Sequence, residues 1–298
     1  MVDWLIPPGP IVTVDWLAAR AADPWLRIVD CRWYLGRPGA GRMAYEDGHI
    51  PGAIHLDIDT ELTTAVGPGR HPLPSPRDFV TSLERAGIGD QHTVIAYDDV
   101  GGWVAARLWW MLDDLGHQRV AVLDGGIEAW VGGGHPLTVE VPTLAAGSLS
   151  LRHSWTATID RDALRASLGA VVLLDARAAP RYRGELEPID RVPGHIPSAR
   201  SAPTDGNVGS GGGFLTSAEL AARYRELGAD GSDGPVVVSC GSGVSATHLA
   251  LAMRVAGLPD PVLYPGSYSD WTQSGLPVAT GDAPGDPGIV ESEGDLGR

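Results

Sequence analysis

The sequence predicts an α/β protein made of two tandem domains, each a mostly parallel sheet flanked by helices. Three observations support this fold class: the length of 298 residues, a duplication that spans most of the chain, and short β-branched runs that alternate with helical patterns. The length favours two domains over one, because a domain typically holds about 100–200 residues. With 43% hydrophobic and 20% charged residues, either half can bury its own core.

The duplication consists of four short motifs that occur in the same order in both halves. The first half contains IVDCR (28–32), GHIPGA (48–53), VIAYDD (94–99) and LDGGIEAW (123–130). The second half contains LLDAR (173–177), GHIPSA (194–199), VVVSCG (236–241) and YPGSYSDW (264–271). The shared order and similar spacing indicate a repeated domain rather than scattered turn motifs.

Strands and helices alternate within each half. Runs such as VVVS (236–239) are apolar without polar alternation, which indicates strands buried on both faces and therefore a parallel sheet. The helical patterns at 103–116 and 244–257 each end at a glycine, which suits a helix C-cap. Four tryptophans at helical or repeat-equivalent positions are expected in the cores: Trp109, Trp110, Trp130 and Trp271.

Composition along the chain sets the predicted boundaries. We expect an N-terminal domain at 1–140, a linker at 141–155, a C-terminal domain at 156–281 and a flexible tail at 282–298. The linker lies in a stretch rich in glycine and small residues. The tail has acidic, glycine-adjacent turns and almost no apolar residues, which is typical of a mobile segment.

Charge and cysteine content exclude several classes of function. The 22 basic and 37 acidic residues give a net charge of −15, which opposes binding to nucleic acid. Cys31 and Cys240 cannot form a disulfide framework, and no cysteines or histidines have zinc-like spacing, so we expect no metal and a reducing compartment. Residues 1–16 resemble neither a signal peptide nor a membrane anchor. A cytoplasmic location without membrane association is the expectation.

Cys240 is the strongest candidate for chemistry. It follows a predicted buried strand and precedes a glycine-containing turn and an apolar helix, where open parallel sheets place their sites. Gly241 and Gly243 permit a backbone whose N–H groups converge on the sulfur, next to the positive end of the helix. This pattern predicts a cradle for a thiolate or persulfide anion. A buried, inert cysteine is the alternative that placement alone leaves open.

The segment CGSGVSA (240–246) resembles the active-site loop of the rhodanese superfamily, particularly the Cys-Gly-Ser-Gly-Val-Thr-Ala loop of 3-mercaptopyruvate sulfurtransferases, with Ser245 at the threonine position. RYRG (181–184), RLWWML (107–112) and the repeated GHIP motifs resemble the tandem-domain members. The resemblance implies two rhodanese-like domains and a sulfurtransferase without metal or organic cofactor, because the sulfur on Cys240 is itself the carrier. Asp98 stands at the matching position of the first half, which implies a catalytically silent domain.

The same resemblance implies the remaining site residues. Ser242, His71 and Asp59 would form a triad like that of serine proteases and move a proton beside the nucleophile Cys240. The substrate-binding residues would be Arg181, with Arg183 as a weaker candidate, and the loop residues Gly241, Gly243, Val244 and Ser245. The chain is shorter than the family pattern at 185–195, and Arg191 there is not aligned with the family's second substrate arginine. The second cation of a carboxylate clamp is therefore unassigned.

The donor and the acceptor follow from the same comparison of loops. Thiosulfate-using members carry arginine and lysine in the loop, whereas this loop is uncharged after Cys240, which favours 3-mercaptopyruvate over thiosulfate as the small-molecule donor. The acceptor would be cyanide or a thiol, such as thioredoxin or a small thiol. A non-catalytic persulfide carrier or regulatory module stays open as an alternative. A phosphatase of the dual-specificity type is disfavoured, because no arginine occurs at 241–248.

Two further expectations concern structural residues. His49 and His195 occur at matching places in the silent and the working half, which indicates a structural role, a hydrogen bond that fixes the loop to the sheet. Cys31 follows the first long predicted strand, where a buried structural thiol is expected.

Overall fold

A computed structural model describes residues 5–292, which form two compact units. Over the described residues, unit 1 comprises 5–64, Leu73–Thr156 and Val208–Phe214, and unit 2 comprises Ala65–Pro72, Ala157–Asn207 and 215–292. Each unit therefore includes a short segment from the other half of the sequence. Both units have the expected α/β fold with an all-parallel sheet.

Unit 1 contains a five-stranded sheet in the order β1-β5-β4-β2-β3. Its strands are β1 (Ile11–Val12), β2 (Leu26–Asp30), β3 (Ala53–His55), β4 (Thr93–Tyr97) and β5 (Val120–Leu123). Its helices are α1 (Val14–Ala18), α2 (Ala40–Asp47), α3 (Pro76–Arg85), α4 (Ala105–Asp114) and α5 (Gly126–Gly132).

Unit 2 contains a four-stranded sheet in the order β7-β6-β8-β9. Its strands are β6 (Val172–Asp175), β7 (Arg200–Ser201), β8 (Val236–Ser239) and β9 (Val262–Leu263). Its helices are α6 (Arg161–Ser167), α7 (Ala179–Arg183), α8 (Ser217–Glu226), α9 (Ala246–Val255), α10 (Ser267–Gln273) and α11 (Ile289–Ser292), with a 3-10 turn at Thr204–Asn207.

The central strands β4 and β8 are buried along their whole length, as their uninterrupted apolar runs predict. In unit 2, Asp175 at the end of β6 pairs with Ser239 at the end of β8, so the carboxyl ends of these strands meet at one edge of the sheet. The residue that follows this edge is Cys240. The four tryptophans expected in the cores are buried.

The repeated histidines hold equivalent places in the two units. Nδ1 of His49 lies 2.7 Å from the carbonyl oxygen of Tyr45, and Nδ1 of His195 lies 2.8 Å from that of Tyr182. Each imidazole also stacks on the same tyrosine, with ring centroids 3.9 and 3.7 Å apart. These contacts fit the structural role expected from their recurrence.

The predicted linker at 141–155 packs against unit 1. The N–H of Leu149 donates to Glu84 on α3 at 2.9 Å, and the hydroxyl of Ser150 donates to Asp90 at 2.5 Å. Leu149 is buried. This stretch is therefore attached to unit 1 along its length by specific contacts, which its small-residue composition does not reveal.

The segment expected to be a flexible tail makes specific contacts over its described part, 282–292. Val290 on α11 is 1% exposed and belongs to the core of unit 2. Nε2 of His195 lies 3.1 Å from the carbonyl oxygen of Ala283, and the N–H of Ser198 donates to that of Pro284 at 2.7 Å. One buried apolar side chain and these backbone contacts hold a stretch whose composition predicts mobility. Residues 293–298 lie outside the described residues.

Candidate active site

The Cys240 loop joins the end of β8 to the start of α9. The N–H of Gly243 lies 3.0 Å from Sγ of Cys240, and the N–H of Ser242 lies 3.4 Å from it. Cys240 is only 2% exposed. The converging amides that the glycine pattern predicts are therefore present beside the sulfur.

Gly243 is required by the local backbone. Its φ is +79°, in the region that favours glycine, and a Cβ built on it would lie under 3.0 Å from the carbonyl oxygen of Pro265. Pro265 stands just before α10, and the N–H of Tyr268 and of Ser269 donate to the carbonyl oxygens of Cys240 and Gly241, both at 3.0 Å. The start of α10 thus holds the Cys240 loop in place through these two backbone hydrogen bonds.

His71 lies beside the loop serine. Its Nδ1 is 2.7 Å from Oγ of Ser242, and both residues are almost completely buried. His71 belongs to the segment 65–72 of unit 2, and its neighbour Arg70 donates its backbone N–H to Oγ of Ser269 at 3.1 Å. Two members of the predicted triad are therefore in hydrogen-bonding contact.

The third predicted member, Asp59, belongs to unit 1. Its carboxylate accepts a hydrogen bond from the indole N–H of Trp33 at 2.9 Å, and its backbone N–H donates to Asp57 at 2.7 Å. The pairing of Asp59 with His71 stays a prediction.

The remaining predicted residues occupy different surroundings. Val244 is buried in the loop, and Ser245 is the N-cap of α9 without a side-chain capping bond. The Arg183 guanidinium binds Glu185 at 2.8 Å at the surface. Arg191 is exposed. Of the two arginines in RYRG, Arg181 lies beside the loop.

Six alternating charges lead to the loop, and we call them the charge chain. Its members, in order, are Asp175, Arg177, Glu187, Arg181, Asp190 and Arg70. The successive N···O distances are 2.7, 3.2, 2.7 and 3.1 Å, and Arg70 closes the series with a direct ion pair to Asp190. The first three side chains and Asp190 are 1–4% exposed, whereas Arg181 is 16% and Arg70 is 24% exposed. The two most accessible members of the charge chain, Arg181 and Arg70, are therefore both cationic.

The two acids of the charge chain that touch these arginines respond differently to burial. Burial raises the pKa of Asp190, although the positive charges of Arg70 and Arg181 oppose the shift. Burial also acts to raise the pKa of Glu187, but the hydrogen bond from Arg181 and the backbone N–H of Asp190 outweigh it and lower that pKa. Glu187 is therefore held in its anionic form and binds the Arg181 guanidinium.

Both accessible guanidinium groups lie next to Gly241. A methyl group built on Gly241 would lie 2.8 Å from Nη2 of Arg70 and 3.4 Å from Nη1 of Arg181. The sequence analysis did not predict Arg70, Glu187 or Asp190 as site residues. The available signals were the position of Arg70 directly before His71 and the unusual composition of the shortened stretch at 185–195.

The matching loop of unit 1 has a different occupant. The Asp98 carboxylate accepts hydrogen bonds from the backbone N–H groups of Val100, Gly102, Val104 and Ala105 at 2.8–3.0 Å. Cys31 nearby is fully buried, and burial together with the negative charges of Asp30 and Asp98 raises the pKa of its thiol well above the usual value. Neither feature provides a second nucleophile.

Residues 5–292 contain neither a candidate metal cluster nor a candidate membrane-spanning helix. No group of three or more histidine, cysteine, aspartate or glutamate side chains in this range could hold a metal ion. No helix described in it is both long and apolar enough to cross a bilayer.

The chain is similar in sequence to a family of domains and to sulfurtransferases of other organisms. The family profile of the rhodanese-like domain matches residues 13–132 and 160–274. The chain is 43% identical over 279 residues to a probable 3-mercaptopyruvate sulfurtransferase of Pseudomonas aeruginosa, covering 91% of this chain and 98% of the relative. It is 39% identical over 270 residues to the putative thiosulfate sulfurtransferase SseB of Mycobacterium tuberculosis, covering 89% and 94%.

Solved structures agree with these relatives. The crystal structure of the 3-mercaptopyruvate sulfurtransferase SseA of Escherichia coli superposes with a TM-score of 0.77 at 31% identity, covering 88% of this chain and 99% of that one. The 3-mercaptopyruvate sulfurtransferase of Leishmania major gives a TM-score of 0.78 at 29% identity, covering 90% and 75%.

Proposed function

The chain belongs to the rhodanese-like family and is a sulfurtransferase, and from this premise we propose that it transfers sulfur from 3-mercaptopyruvate through a persulfide on Cys240. The observation that carries the proposal is a sulfur that backbone amides contact, followed in the chain by a glycine that an arginine faces. Nη1 of Arg181 faces Gly241, the residue after the nucleophile, and takes no part in the ion pairs with Glu187 and Asp190.

The reaction has two steps. The Cys240 thiolate attacks the donor sulfur, the carbon–sulfur bond breaks, and its electron pair leaves with the enolate of pyruvate, which takes up a proton. An acceptor thiolate then attacks the outer sulfur of the persulfide and releases Cys240 as thiolate. The amides of Ser242 and Gly243 support the proposal, because they stabilise a negative sulfur before and after each step.

His71 and Ser242 supply the proton transfer in this proposal. With 2.7 Å between Nδ1 and Oγ, a proton can pass through the serine hydroxyl between the imidazole and the enolate. We propose that Asp59 orients the imidazole, as the third member of a triad does. Asp59→Asn would then lower kcat, whereas Asp47→Asn, at the exposed end of α2, would not.

A carboxylate-bearing donor suits the electrostatics of the site. The net charge of −15 repels anions from the molecule as a whole, so an anionic donor needs local cations. Arg181 provides one, and its planar fork matches a carboxylate. Thiosulfate is the second candidate, because two guanidinium groups beside Gly241 also suit a compact dianion.

The family implies a sulfur donor and a thiol or cyanide acceptor, and we further propose a thiol acceptor such as thioredoxin or a small thiol. Cys240 is 2% exposed, which favours an acceptor that is small or presents its thiol on an extended segment. Both described cysteines are free thiols, and catalysis needs Cys240 reduced, so we propose a cytoplasmic location.

Mass spectrometry tests the nucleophile. After incubation with 3-mercaptopyruvate and no acceptor, we expect one added sulfur on the peptide that contains Cys240. Cys31→Ser should keep this addition and Cys240→Ser should lose it. The proposal is wrong if no donor, including thiosulfate, adds sulfur to Cys240. Repeated turnover with a small thiol separates an enzyme from a carrier, which would load once and stop.

Steady-state kinetics test the donor and the role of Arg181. We expect a higher kcat/KM for 3-mercaptopyruvate than for thiosulfate, and Arg181→Met should lower the former by roughly tenfold to a hundredfold. Arg183→Met is the matched comparison, because the same charge is removed from a side chain that binds Glu185 at the surface. Equal losses in both variants would refute the assignment of Arg181.

A further inference from the structure

Residues 136–142 follow α5 in unit 1, and we call them the edge segment. Thr138 exchanges two backbone hydrogen bonds of 2.9 Å with His49 in an antiparallel bridge, and the carbonyl oxygen of Glu140 lies 3.1 Å from Nε2 of the same histidine. Alternate residues of an extended chain point their backbone groups to the same side, so those of Val139 point away from His49. Among residues 5–292 the backbone groups of Val139 have no hydrogen-bond partner.

One face of the edge segment carries a row of exposed apolar side chains. Leu137, Val139 and Val141 are 42%, 67% and 58% exposed, and their spacing of two residues places them on one face. Positions 136 and 142 are prolines, which have no N–H to donate to a neighbouring strand. The segment also contains no lysine or arginine, the residues that commonly protect an open strand edge. The edge segment therefore offers five residues for pairing with another strand.

The equivalent segment of unit 2 shows that the fold does not require this row. In unit 2, Ala279 forms the matching bridge to the repeated histidine. The next residue, Thr280, therefore corresponds to Val139, and by the same count Asp282 corresponds to Val141. Thr280 and Asp282 are exposed and polar. Valines at the same exposed positions of unit 1 indicate a contact beyond the core of that unit.

The row is complementary to a second copy of itself. In an antiparallel pair centred on Val139, each Val139 faces its counterpart, and Leu137 of one copy faces Val141 of the other. These are the residues whose backbone groups point outward, so each facing pair can exchange two hydrogen bonds. On the opposite face, Thr138 of one copy faces Glu140 of the other, so no two carboxylates are directly opposed. Shape, hydrogen bonding and charge therefore agree in one register.

We propose that the edge segment is a self-association surface, at which two copies of this chain pair as antiparallel strands about a twofold axis at Val139. A twofold contact of this kind is closed, so it yields a dimer and no longer assembly. The contact is much smaller than a standard interface, which buries roughly 1,600 Å² in total. We therefore expect weak association, with a dissociation constant on the order of 0.1 mM.

Sedimentation velocity of the full chain, from about 2 µM to about 500 µM, tests this surface. We expect a monomer at the low concentrations and a weight-average mass that rises toward the dimer at the high ones. Val139→Arg and Val139→Glu should each abolish the rise, because like charges would meet on the twofold axis. An equal mixture of the two variants should associate again, because opposite charges then face each other. Thr280→Arg makes the matched change in unit 2 and should associate like the wild type.

Three results would overturn the inference. A wild type that stays monomeric over the whole range has no such dimer, even if the edge segment binds another protein. Association that persists in Val139→Arg lies at another surface. If both charged variants are monomeric alone and also in the mixture, the symmetric register is wrong.

Urea denaturation checks that each variant is folded. Should a charged variant be unfolded, Val139→Thr decides, because it introduces the residue that unit 2 carries at this position. Val139→Thr should raise the dissociation constant by roughly fivefold, and an unchanged constant would contradict the inference. None of these measurements depends on sulfur transfer, so a failure of the proposed function would leave the result at this surface unaffected.

Discussion

Replacing Gly243 by alanine tests whether the backbone cradle stabilises the sulfur anion. The new Cβ would lie under 3.0 Å from the carbonyl oxygen of Pro265, and neither atom can move by a side-chain rotation. The φ of +79° is also unfavourable for alanine. The loop therefore has to shift, and the N–H that lies 3.0 Å from Sγ of Cys240 shifts with it.

The size of the effect follows from these two contributions. A left-handed conformation costs a non-glycine residue about 1–2 kcal/mol, which lowers stability. A hydrogen bond to a charged group contributes about 1.5–3 kcal/mol, and its loss raises the free energy of the anionic sulfur relative to the neutral thiol. At 1.36 kcal/mol for each factor of ten, the second contribution lowers the rate of persulfide formation by roughly tenfold to a hundredfold.

Single-turnover kinetics at saturating donor measure this rate, and Gly241→Ala is the matched control. A Cβ at Gly241 meets only the guanidinium ends of Arg70 and Arg181, which are flexible, so this variant should raise KM and keep the maximal rate. Gly243→Ala should lower the maximal rate for every donor. A wild-type maximal rate in Gly243→Ala, or an equal loss in Gly241→Ala, would refute the reasoning.

Three further predictions follow from other contacts. Ser242→Ala and His71→Asn should each lower kcat by about a hundredfold, and the double variant should be no slower than the slower single variant, because the two side chains act as one unit; additive losses would contradict this. Asp98→Ala should lower the free energy of unfolding by about 3–5 kcal/mol, as measured by urea denaturation, because four N–H groups lose a buried anionic partner; a change under about 1 kcal/mol would exclude that role. Burial, with the positive charges of Arg27 and His117, lowers the pKa of His92 to about 4, so the unfolded chain, with a value of about 6.5, binds this proton more readily. The free energy of unfolding should then fall by about 2 kcal/mol as the pH falls from 6.5 to 4. The urea concentration at the unfolding midpoint should fall over the same range in the wild type and should depend less on pH in His92→Gln.

The parts of the fold that local sequence determines could be predicted. The helical patterns at 103–116 and 244–257 correspond to α4 and α9, and the glycines that end them have φ of +84° and +71°. The Cys240 loop was predictable for the same reason, since a buried strand, a glycine turn and an apolar helix occur within twenty residues. Each of these signals depends on neighbours along the chain.

Features that depend on distant residues could not be predicted. Arg70 contacts Ser269, which is 199 positions away, and Asp190, which is 120 positions away, and nothing in RHPLP indicates either contact. The inclusion of 65–72 in unit 2 likewise has no signature in composition. Val290 is a single apolar residue, and its burial depends on how it packs with the core of unit 2, which the local sequence does not indicate. The sequence therefore predicts the amides that lie beside Cys240, but it indicates only Arg181 of the two arginines next to Gly241.

The two units share one arrangement of backbone N–H groups but differ in the side chain that these groups contact. In both, the loop after the central strand directs backbone N–H groups at a negative side chain, which is the carboxylate of Asp98 in unit 1 and the sulfur of Cys240 in unit 2. The Asp98 carboxylate accepts hydrogen bonds from four N–H groups of its loop, and it has no sulfur that could be exchanged. The same backbone geometry therefore holds a carboxylate in unit 1 and surrounds the proposed nucleophile in unit 2.

Unit 1 also differs from unit 2 at the position of Arg181. Tyr45 and Tyr182 are equivalent, since each stacks on the repeated histidine and donates its hydroxyl to the carbonyl oxygen of an alanine at the end of the GHIP motif, at 2.8 and 2.7 Å. The residue before Tyr182 is Arg181, whereas the residue before Tyr45 is Ala44. A cysteine at position 98 would thus have amides but no arginine at this position to bind a donor carboxylate. We therefore expect unit 1 to be silent for two reasons: it has an aspartate in place of the cysteine, and it has no arginine at the position that matches Arg181, although a net charge of −15 makes local cations necessary for an anionic donor.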